Sequence, residues 1–381
     1  MKKNIIALIS GLILVTACST EKNKSLESFE FNLTMDTVVV DAGNEIINLV
    51  YGLSSPALSK DRKYLYHYTH GQATFDKINL ETLELEKTIK FEKDGPNSIG
   101  SYIGGYSITP ENNFMIWSYG LYAIFSPTGE KIKDLELDKI ANEELNGNGS
   151  FPIRLIEIPG KPNEIYGFFV QWNDNEYYLI KFDLENRSYK RISLPFPEKL
   201  NDFRMEIEYN GQAAGGYHPS SPRPIIVEDK IIFTTTAFNE AYIFDTAIDS
   251  LITKSWESSL TGNKNEAKLP KIAQMEEAEE HTRKFSESIN FSMPQWDPIS
   301  KQYVRLSHKT AFSEEKDENG RLTESSAIVY LTLMDKDLNI IKETILEGYT
   351  KTPPSHFYID NTIWLFENID DELGFVRMTI N

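Results

Sequence analysis

Residues 153–194 constrain the fold of this chain more than any other stretch. Their sequence, IRLIEIPGKPNEIYGFFVQWNDNEYYLIKFDLENRSYKRISL, alternates runs rich in Ile, Tyr and Phe with breaks made of Pro, Gly, Asn and Asp. The runs suit the pleated, half-buried surface of a strand, and the breaks fix turn dihedrals or tolerate positive φ. Because the breaks make every run too short for an amphipathic helix, the stretch predicts a four-stranded antiparallel meander.

The same plan recurs along the chain, in segments 53–91, 104–137, 153–194, 223–257, 291–346 and 356–380. Their second strands begin at intervals of 50, 51, 66, 72 and 60 residues, near Tyr64, Phe114, Ile165, Ile231, Tyr303 and Ile363. A four-stranded repeat of about fifty residues is typical of β-propellers. We therefore predict an all-β fold, a six-bladed β-propeller of four-stranded antiparallel blades. A β-sandwich of scattered strands is the alternative.

The two ends of the repeat region complement each other. The last segment, 356–380, stops one strand short, whereas residues 31–40 read as a strand with no hairpin partner nearby. Pairing these ends in one blade removes an open strand edge. We predict that residues 31–40 supply the outer strand of the sixth blade.

Residues 1–17 are predicted to be a signal peptide. Lys2 and Lys3 precede an apolar run that is too short to span a bilayer and ends in Val15-Thr16-Ala17-Cys18. That ending resembles a bacterial lipobox, which implies cleavage before Cys18 and acylation of this cysteine. The alternative is a plain secretory signal with an incidental cysteine.

The mature protein is then expected to have two parts. Residues 18–28 form the lipidated cysteine and a flexible tether, and residues 29–381 form a single β-propeller domain. Ser19 follows Cys18 where some lipoproteins have an acid, which favours the outer membrane by analogy with lipoprotein sorting. The membrane is therefore a predicted partner, through the lipid anchor.

Charge excludes one class of partner. The chain has 39 Lys and Arg against 57 Asp and Glu, a formal charge of −18, and removal of residues 1–17 takes away two lysines and no acids, giving −20. An acidic body does not attract nucleic acid or anionic lipid. Since Cys18 is the only cysteine, the acylated protein has no free thiol for catalysis or zinc binding.

Function is expected on the connections between blades, residues 92–103, 138–152, 195–222, 258–290 and 347–355. In a propeller these connections emerge together at the mouth of the central channel, and long loops on a rigid scaffold concentrate binding residues. One connection includes residues 266–288, where the spacing of apolar residues predicts a helical insertion.

The connection at 209–224, YNGQAAGGYHPSSPRP, is the most unusual. Its glycines allow close approach and its prolines stiffen the backbone. Tyr217, His218 and Arg223 are candidate ligand-binding residues, with His218 and Arg223 suited to an anion or carboxylate. A stiff crossover loop with ordinary polar residues is the alternative.

A second group of candidates lies in the fifth segment. Arg305 and His308 follow Trp296, and an arginine with aromatic neighbours at the channel mouth can hold a peptide or glycan. Alternatively, Arg305 pairs with a neighbouring acid.

The sequence supports an enzymatic function less than a binding or scaffold role. Glu157, Glu228, Asp297 and Asp360 are the few acids on or near the inner strands, and they lie mostly at strand ends. No nucleophile motif or phosphate loop occurs. We predict no catalytic residues, metal ligands or cofactor. A hydrolase or lyase with a divalent metal in the channel is the alternative to a binding or scaffold role.

The sequence Phe91-x-x-x-Gly95-Pro96 closes the outer strand of the first segment. It resembles the Gly-Pro turn of six-bladed propeller lipoproteins common in Bacteroidota, and among these the chain resembles an uncharacterised family with a domain of unknown function. The resemblance covers essentially the whole mature chain and implies no established activity. Asp94, Gly95 and Pro96 are further candidate ligand-binding residues. The expected function is a cell-envelope lipoprotein that binds a protein, peptide or glycan.

Overall fold

The structure is a computed structural model that describes residues 31–54, 56–146, 149–171, 176–219, 221–318 and 320–381. Residues 32–381 form one compact unit. The predicted signal peptide, Cys18 and the tether to residue 28 lie outside the described residues. No described helix is both long enough and apolar enough to span a bilayer.

Most strands belong to six antiparallel sheets, numbered here in chain order. The first sheet contains β2 (Ala57–Leu58), β3 (Tyr64–Thr69), β4 (Thr74–Asn79) and β5 (Glu84–Lys90). The second contains β6 (Gly105–Ile108), β7 (Phe114–Ser118), β8 (Leu121–Phe125) and β9 (Lys131–Asp134). The third contains β10 (Ser150–Glu157), β11 (Glu164–Gln171), β12 (Glu176–Asp183) and β13 (Ser188–Ser193).

The later sheets repeat the order. The fourth contains β16 (Arg223–Val227), β17 (Lys230–Thr234), β18 (Glu240–Asp245) and β19 (Ser250–Ser255). The fifth contains β21 (Asn290–Phe291), β22 (Gln295–Asp297), β23 (Gln302–Lys316), β24 (Leu322–Met334) and β25 (Ile340–Ile345). The sixth contains β26 (His356–Ile359), β27 (Thr362–Ile369), β28 (Glu372–Ile380) and β1 (Leu33–Val39).

The turns between first and second strands share one backbone device. Each contains a residue with positive φ, namely Arg62, Asn112, Gly160, Glu228, Lys301 and Asn361. These positions fall in the six turns that the sequence repeat predicts, so the strand plan of the repeat is confirmed.

Apolar clusters hold neighbouring sheets together. Tyr66 and Phe75 of the first sheet pack with Phe114 of the second, and further clusters link the second sheet to the third, the third to the fourth and the fourth to the fifth. The fifth and sixth sheets meet where β22 lies beside β26. A last cluster joins Trp364 of the sixth sheet to Leu65 of the first. The fold is therefore all-β and propeller-like.

Two details differ from six uniform four-stranded units. The first strand of the fifth sheet is divided into β21 and β22, which both pair with β23, so this sheet has five strands. In addition, β14 (Met205–Tyr209), β15 (Gln212–Tyr217) and β20 (Ile272–Gln274) form a separate three-stranded sheet, in which β14 and β20 are parallel.

The predicted helical insertion begins later than the sequence suggests. Residues 272–274 hydrogen-bond to β14 as a strand, so helix α4 starts only at Met275 and ends at Glu287. The predicted loop 209–224 instead contributes to the β14–β15 hairpin. Short helical segments occupy Leu137–Ile140 (α1), Asn142–Leu145 (α2), Pro197–Leu200 (α3) and Asn201–Phe203.

The prediction that the N-terminal strand completes the sixth sheet is confirmed. β1 pairs antiparallel with β28 from Leu33 opposite Ile380 to Val39 opposite Gly374. The Arg377 Nε donates a hydrogen bond to Asp36 Oδ1 at 3.0 Å. After the strand, the Val40 amide donates to the Leu373 carbonyl at 2.8 Å, and the Val40 side chain enters the apolar cluster between the sixth and first sheets.

Two adjacent valines test this docking. Val40 is 1% exposed and Val39 is 42% exposed. We expect Val40→Ala to lower the free energy of unfolding by about 2 kcal/mol, because it removes buried methyl groups and leaves a cavity. The matched variant Val39→Ala should change it by less than about 0.5 kcal/mol. Urea denaturation measures both, and equal effects would show that the segment is not docked.

Candidate functional site

The connections between sheets gather at one end of the sheets. Each connection runs from the last strand of one sheet to the first strand of the next. Their described residues are 40–54 and 56, 91–104, 135–146 and 149, 194–219 and 221–222, 256–289, and 346–355. Because neighbouring strands of each sheet run in opposite directions, the turn between the second and third strands lies at this same end. Ser54 Oγ accordingly lies 3.2 Å from Nε2 of His70, which follows β3. We call this end the loop face.

Exposed tyrosines are confined to the loop face. Of the 19 tyrosines, four are exposed, and the rest are buried or half-buried. The four are Tyr51 (73% exposed), Tyr102 (59%), Tyr119 (61%) and Tyr209 (52%). Each lies in a connection between sheets or in a turn between second and third strands. Tyrosine combines a large apolar ring with a hydroxyl and suits a binding surface.

Three of these tyrosines lie over successive sheets and form what we call the aromatic patch: Tyr51, Tyr102 and Tyr119. The ring of Tyr51 meets His70 edge-on at 5.6 Å between centroids. The ring of Tyr119 lies 4.8 Å from Phe151 of β10. Neighbouring rings therefore support the patch. Sequence reasoning missed these residues, although a tyrosine inside a polar turn such as Ser118-Tyr119-Gly120 is a usable signal.

An insertion module covers another part of the loop face. It consists of β14, β15, β20, α4 and the ends of β23 and β24, residues 311–318 and 320–326. Glu279 of α4 links the parts, because one carboxylate oxygen lies 2.9 Å from Lys316 Nζ and the other accepts the Leu322 amide at 3.0 Å. Phe285 of α4 packs edge-on against Phe203 at 5.5 Å.

The three candidate residues from loop 209–224 have different environments in the structure. Tyr217 is half-buried and packs on the core of the insertion module beside Met205. His218 is half-buried, and burial together with the charge of Arg204 lowers its pKa. Arg223 is exposed at the start of β16, opposite Thr234, and makes no hydrogen bond or ion pair with any described residue. Only Arg223 combines charge with full access to a ligand.

The prediction that Arg305 lies at the channel mouth is wrong. Its side chain is 1% exposed, so it does not line the channel mouth. Its Nη2 donates to Asn239 Oδ1 at 2.6 Å, and its guanidinium lies 4.9 Å from the ring of Trp256 and 5.2 Å from that of Phe291. Burial lowers its pKa to about 10. Arg305 thus links the fourth and fifth sheets, and no surface ligand can contact it.

Trp296 is half-buried between the same two sheets. Its ring centroid lies 4.6 Å from that of Tyr303. It belongs to the apolar cluster that contains Val227 and Trp256. Its main contacts are therefore structural.

His308 forms part of a neutral histidine pair. Burial and the neighbouring His356 lower the pKa of His308 to about 4, and burial lowers the pKa of His356. His356 Nδ1 lies 2.7 Å from the Pro354 carbonyl oxygen. His308 Nδ1 and His356 Nε2 are buried, and neither has a hydrogen-bond partner among the described residues.

Asp94, Gly95 and Pro96 form an exposed turn on the loop face. Gly95 has a φ of +97° and its carbonyl accepts the Ser98 amide at 3.2 Å. The turn also joins sheets, because Asn97 Oδ1 accepts the Lys131 amide of β9 at 3.1 Å. Its residues are accessible, and they lie outside the aromatic patch.

Sequence reasoning also missed Arg154. This residue is the single exposed position of β10, whose other residues are buried or half-buried. The register between β10 and β11 shifts between Pro152 and Arg154, which marks a β-bulge. Within the described ranges, no three His, Cys, Asp or Glu side chains come together in a way that could hold a metal ion.

Comparisons with known proteins identify relatives of uncharacterised function. A family model described as "Domain of unknown function (DUF4221)" matches residues 28–345. A crystal structure of a member of that family from Bacteroides vulgatus is similar with 15% identity and a TM-score of 0.65, covering 92% of this chain and 98% of that one. The comparison with curated proteins found no match.

Two further structures are similar in fold. A protein from Bacteroides fragilis described as exported has 7% identity and a TM-score of 0.50, covering 92% of this chain and 95% of that one. The beta-propeller domain of Swd1 from Myceliophteria thermophila has 7% identity and a TM-score of 0.40, covering 91% of this chain and all of that domain. The latter likeness is too weak to support an argument. The predicted resemblance to an uncharacterised family is confirmed.

The histidine pair predicts a pH dependence. Unfolded His308 takes up a proton near pH 6.5, whereas folded His308 does so only near pH 4. The unfolded state thus binds more protons between these values, so the free energy of unfolding should fall as the pH decreases from 6.5 to 4, by at most about 3 kcal/mol for this residue. The lowered pKa of His356 acts in the same direction. Urea denaturation across this range should show a shallower decline for His308→Gln, and an unchanged decline would contradict the assignment.

Proposed function

The chain belongs to the DUF4221 family, and from that premise we propose that it is a ligand-binding lipoprotein of the bacterial cell envelope. Its body is a six-bladed β-propeller in which each numbered sheet is one blade and β1 closes the sixth. The split first strand of the fifth sheet and the three-stranded sheet of the insertion module are additions to that plan. The ligand, a protein, peptide or glycan, binds on the loop face.

The main observation in support of the proposed function is the distribution of exposed tyrosines. Four tyrosine rings are exposed to solvent at one end of the molecule, and the other fifteen tyrosines are buried or half-buried. An exposed tyrosine binds a partner with little loss of conformational freedom, because its side chain has only two rotatable angles. Their support by neighbouring rings, such as His70 and Phe151, further reduces the cost of ordering.

The location rests on the N-terminal sequence. The lipobox-like Val15-Thr16-Ala17-Cys18 supports export and acylation of Cys18, and Ser19 supports the outer membrane. A structural neighbour described as exported agrees with an envelope location. Several acyl chains on one cysteine anchor a protein firmly without a spanning helix. The anchor holds the propeller at the membrane in a binding or scaffold role.

Replacement of Cys18 tests the anchor. We expect Cys18→Ser to abolish incorporation of a labelled fatty acid and to move the protein from the membrane fraction to the soluble fraction, since no other cysteine can be acylated. The neighbouring variant Ser19→Ala should remain labelled and membrane-bound. Metabolic labelling followed by fractionation measures both. A labelled, membrane-bound Cys18→Ser protein would refute the anchor.

Replacement of the aromatic patch tests the binding face. The triple variant Tyr51→Ser, Tyr102→Ser and Tyr119→Ser should lose at least about 90% of the envelope material that the wild-type protein retains on a column, because interface aromatic residues typically carry most of the binding energy. A matched triple variant, Ile132→Ser, Ile248→Ser and Ile299→Ser, removes side chains that are also more than half exposed but lie away from the patch.

The matched variant should retain as much material as the wild type. Mass spectrometry and a total carbohydrate assay quantify the retained protein and glycan. Failure of the wild type to retain any component, or equal retention by all three proteins, would refute a binding role for the loop face.

A further inference from the structure

In the six-bladed arrangement proposed above, the first strands of the sheets line a central space. Here "first strands" means β2, β6, β10, β16, β21 with β22, and β26, each of which is an edge strand of its sheet. β6 contacts both β2 and β10, and β22 contacts β26, so these edges lie side by side. An edge strand has unpaired N–H and C=O groups. We call the space that they line the channel.

Arg154 is the residue of β10 that is exposed to solvent, and in the proposed six-bladed arrangement it faces the channel. A β-bulge redirects a side chain out of the normal strand alternation, and the bulge between Pro152 and Arg154 coincides with the single exposed position of β10. The side chain of Arg154 is exposed, but desolvation by the surrounding protein lowers its pKa. The ionisable hydroxyl of Tyr106 on β6 opposes this shift. Arg154 is therefore in contact with water but enclosed by protein.

Among the described residues, the guanidinium of Arg154 has no anionic partner. Its side chain makes no hydrogen bond or ion pair there, although its backbone belongs to the β10–β11 ladder. Most other arginines are paired: Arg187 with Glu136, Arg191 with Glu144 and Glu176, and Arg377 with Asp36. Arg305 and Arg62 also lack an acidic partner, but their guanidinium groups donate to Asn239 Oδ1 and to the Tyr358 carbonyl. The guanidinium of Arg154 has no such acceptor among the described residues, so its donors are available to a ligand.

Arg223 lies on the first strand of the neighbouring sheet. The cross-strand partner of Arg154 is Phe168, whose ring lies 5.1 Å from Phe233 of the fourth sheet. Phe233 immediately precedes Thr234, which is the cross-strand partner of Arg223. Two unpaired guanidinium groups thus come from the first strands of adjacent sheets, Arg223 at the start of β16 and Arg154 in the middle of β10.

The acids lie at the opposite end of the channel. Glu157 is the last residue of β10 and is half-buried. Asp297 ends β22, but it is buried and accepts the amides of Ile299 and Ser300, so it does not face the channel. The turns that follow the first strands add Asp61, Glu111, Glu228 and Asp360. The arginines therefore lie nearer the loop face than the carboxylates do. This arrangement favours entry of an anion from the loop face.

We propose that Arg154 and Arg223 bind the carboxylate of an acidic saccharide, whose sugar rings lie on the aromatic patch. This inference rests on the proposed ligand-binding function and names the class of ligand. A planar guanidinium binds a carboxylate through two parallel hydrogen bonds. Sugar hydroxyls both donate and accept, so they suit the unpaired N–H and C=O groups of the first strands. Their polarised C–H groups suit the electron-rich faces of tyrosine rings.

A peptide fits the same channel less well. Extended peptides bind mainly by adding a strand to a sheet edge. The contacts of β6 with β2 and with β10 leave no room for a further strand between these three edges. An acidic saccharide needs no added strand, so we take it as the occupant.

Calorimetric titration with trigalacturonic acid tests the inference, using the protein from residue 19 onwards. We expect the wild type to bind this probe, and Arg154→Gln to bind it about tenfold more weakly or worse. Arg223→Gln should weaken binding by a smaller factor, and Arg154→Lys should retain part of it because the charge remains. The control Arg187→Gln, on an exposed arginine of the turn between β12 and β13, should bind as the wild type does.

Thermal unfolding distinguishes lost binding from lost structure. Because Arg154 is unpaired and enclosed, Arg154→Gln should unfold at the same temperature as the wild type or higher. The neutral maltotriose and the acidic peptide triglutamate serve as comparison probes. Binding of trigalacturonic acid in preference to both, with loss in Arg154→Gln, supports the inference.

Three results would overturn it: no binding of trigalacturonic acid, equal binding by the wild type and Arg154→Gln, or tighter binding of triglutamate or maltotriose. These outcomes differ from a failure of the proposed function. If the wild type retains envelope material through the aromatic patch but does not bind trigalacturonic acid, the saccharide is wrong and the binding role stands. If no envelope material is retained, the binding role itself is wrong.

Discussion

Burial of aromatic rings between neighbouring sheets is the interaction on which the rest of the structure depends. An isolated four-stranded sheet exposes two faces, and here each face becomes buried only when the next sheet packs against it. Phe75 packs against Phe114 across one boundary, and Phe168 packs against Phe233 across another. Each buried aromatic side chain contributes up to about 3 kcal/mol by removal from water. The sheets therefore stabilise one another in sequence, and the loops need to contribute little to stability.

This division leaves the loop face available for function. Its connections contain the exposed tyrosines and the insertion module, whereas the opposite end has short turns fixed by residues with positive φ, such as Arg62 and Asn112. Short strained turns tolerate few changes, and long connections tolerate many. A rigid, repetitive body can therefore present an irregular surface at one end.

The sequence predicted the fold better than the site, for physical reasons. Strand runs and turn residues are local signals, so the six segments and the closing role of β1 were visible without coordinates. The insertion module was only partly visible, since the strand at Ile272–Gln274 depends on pairing with the distant β14. Local apolar spacing there favours a helix, and the non-local hydrogen bonds override it.

Burial of individual polar side chains was harder to predict from the sequence than the positions of the strands. The sequence predicted an accessible Arg305 and did not single out Arg154, yet Arg305 is sealed between Trp256 and Phe291 and Arg154 is exposed. The difference arises from the packing of the fourth sheet on the fifth and from a bulge in β10. Neither feature leaves a mark in local composition. The exposed tyrosines were missed for a different reason, because clustering of residues such as Tyr51 and Tyr119 requires the arrangement of successive sheets.

The pairing of β1 with β28 also sets the order of folding events. Asp36 and Arg377 form their ion pair across 341 positions of sequence. Contacts of such separation form slowly, because a very long loop must close first. During synthesis β1 emerges long before β28, so the sixth sheet remains incomplete until residues 372–380 are available. A chain released early would keep an unpaired β1, which gives quality-control proteases a direct mark of incompleteness.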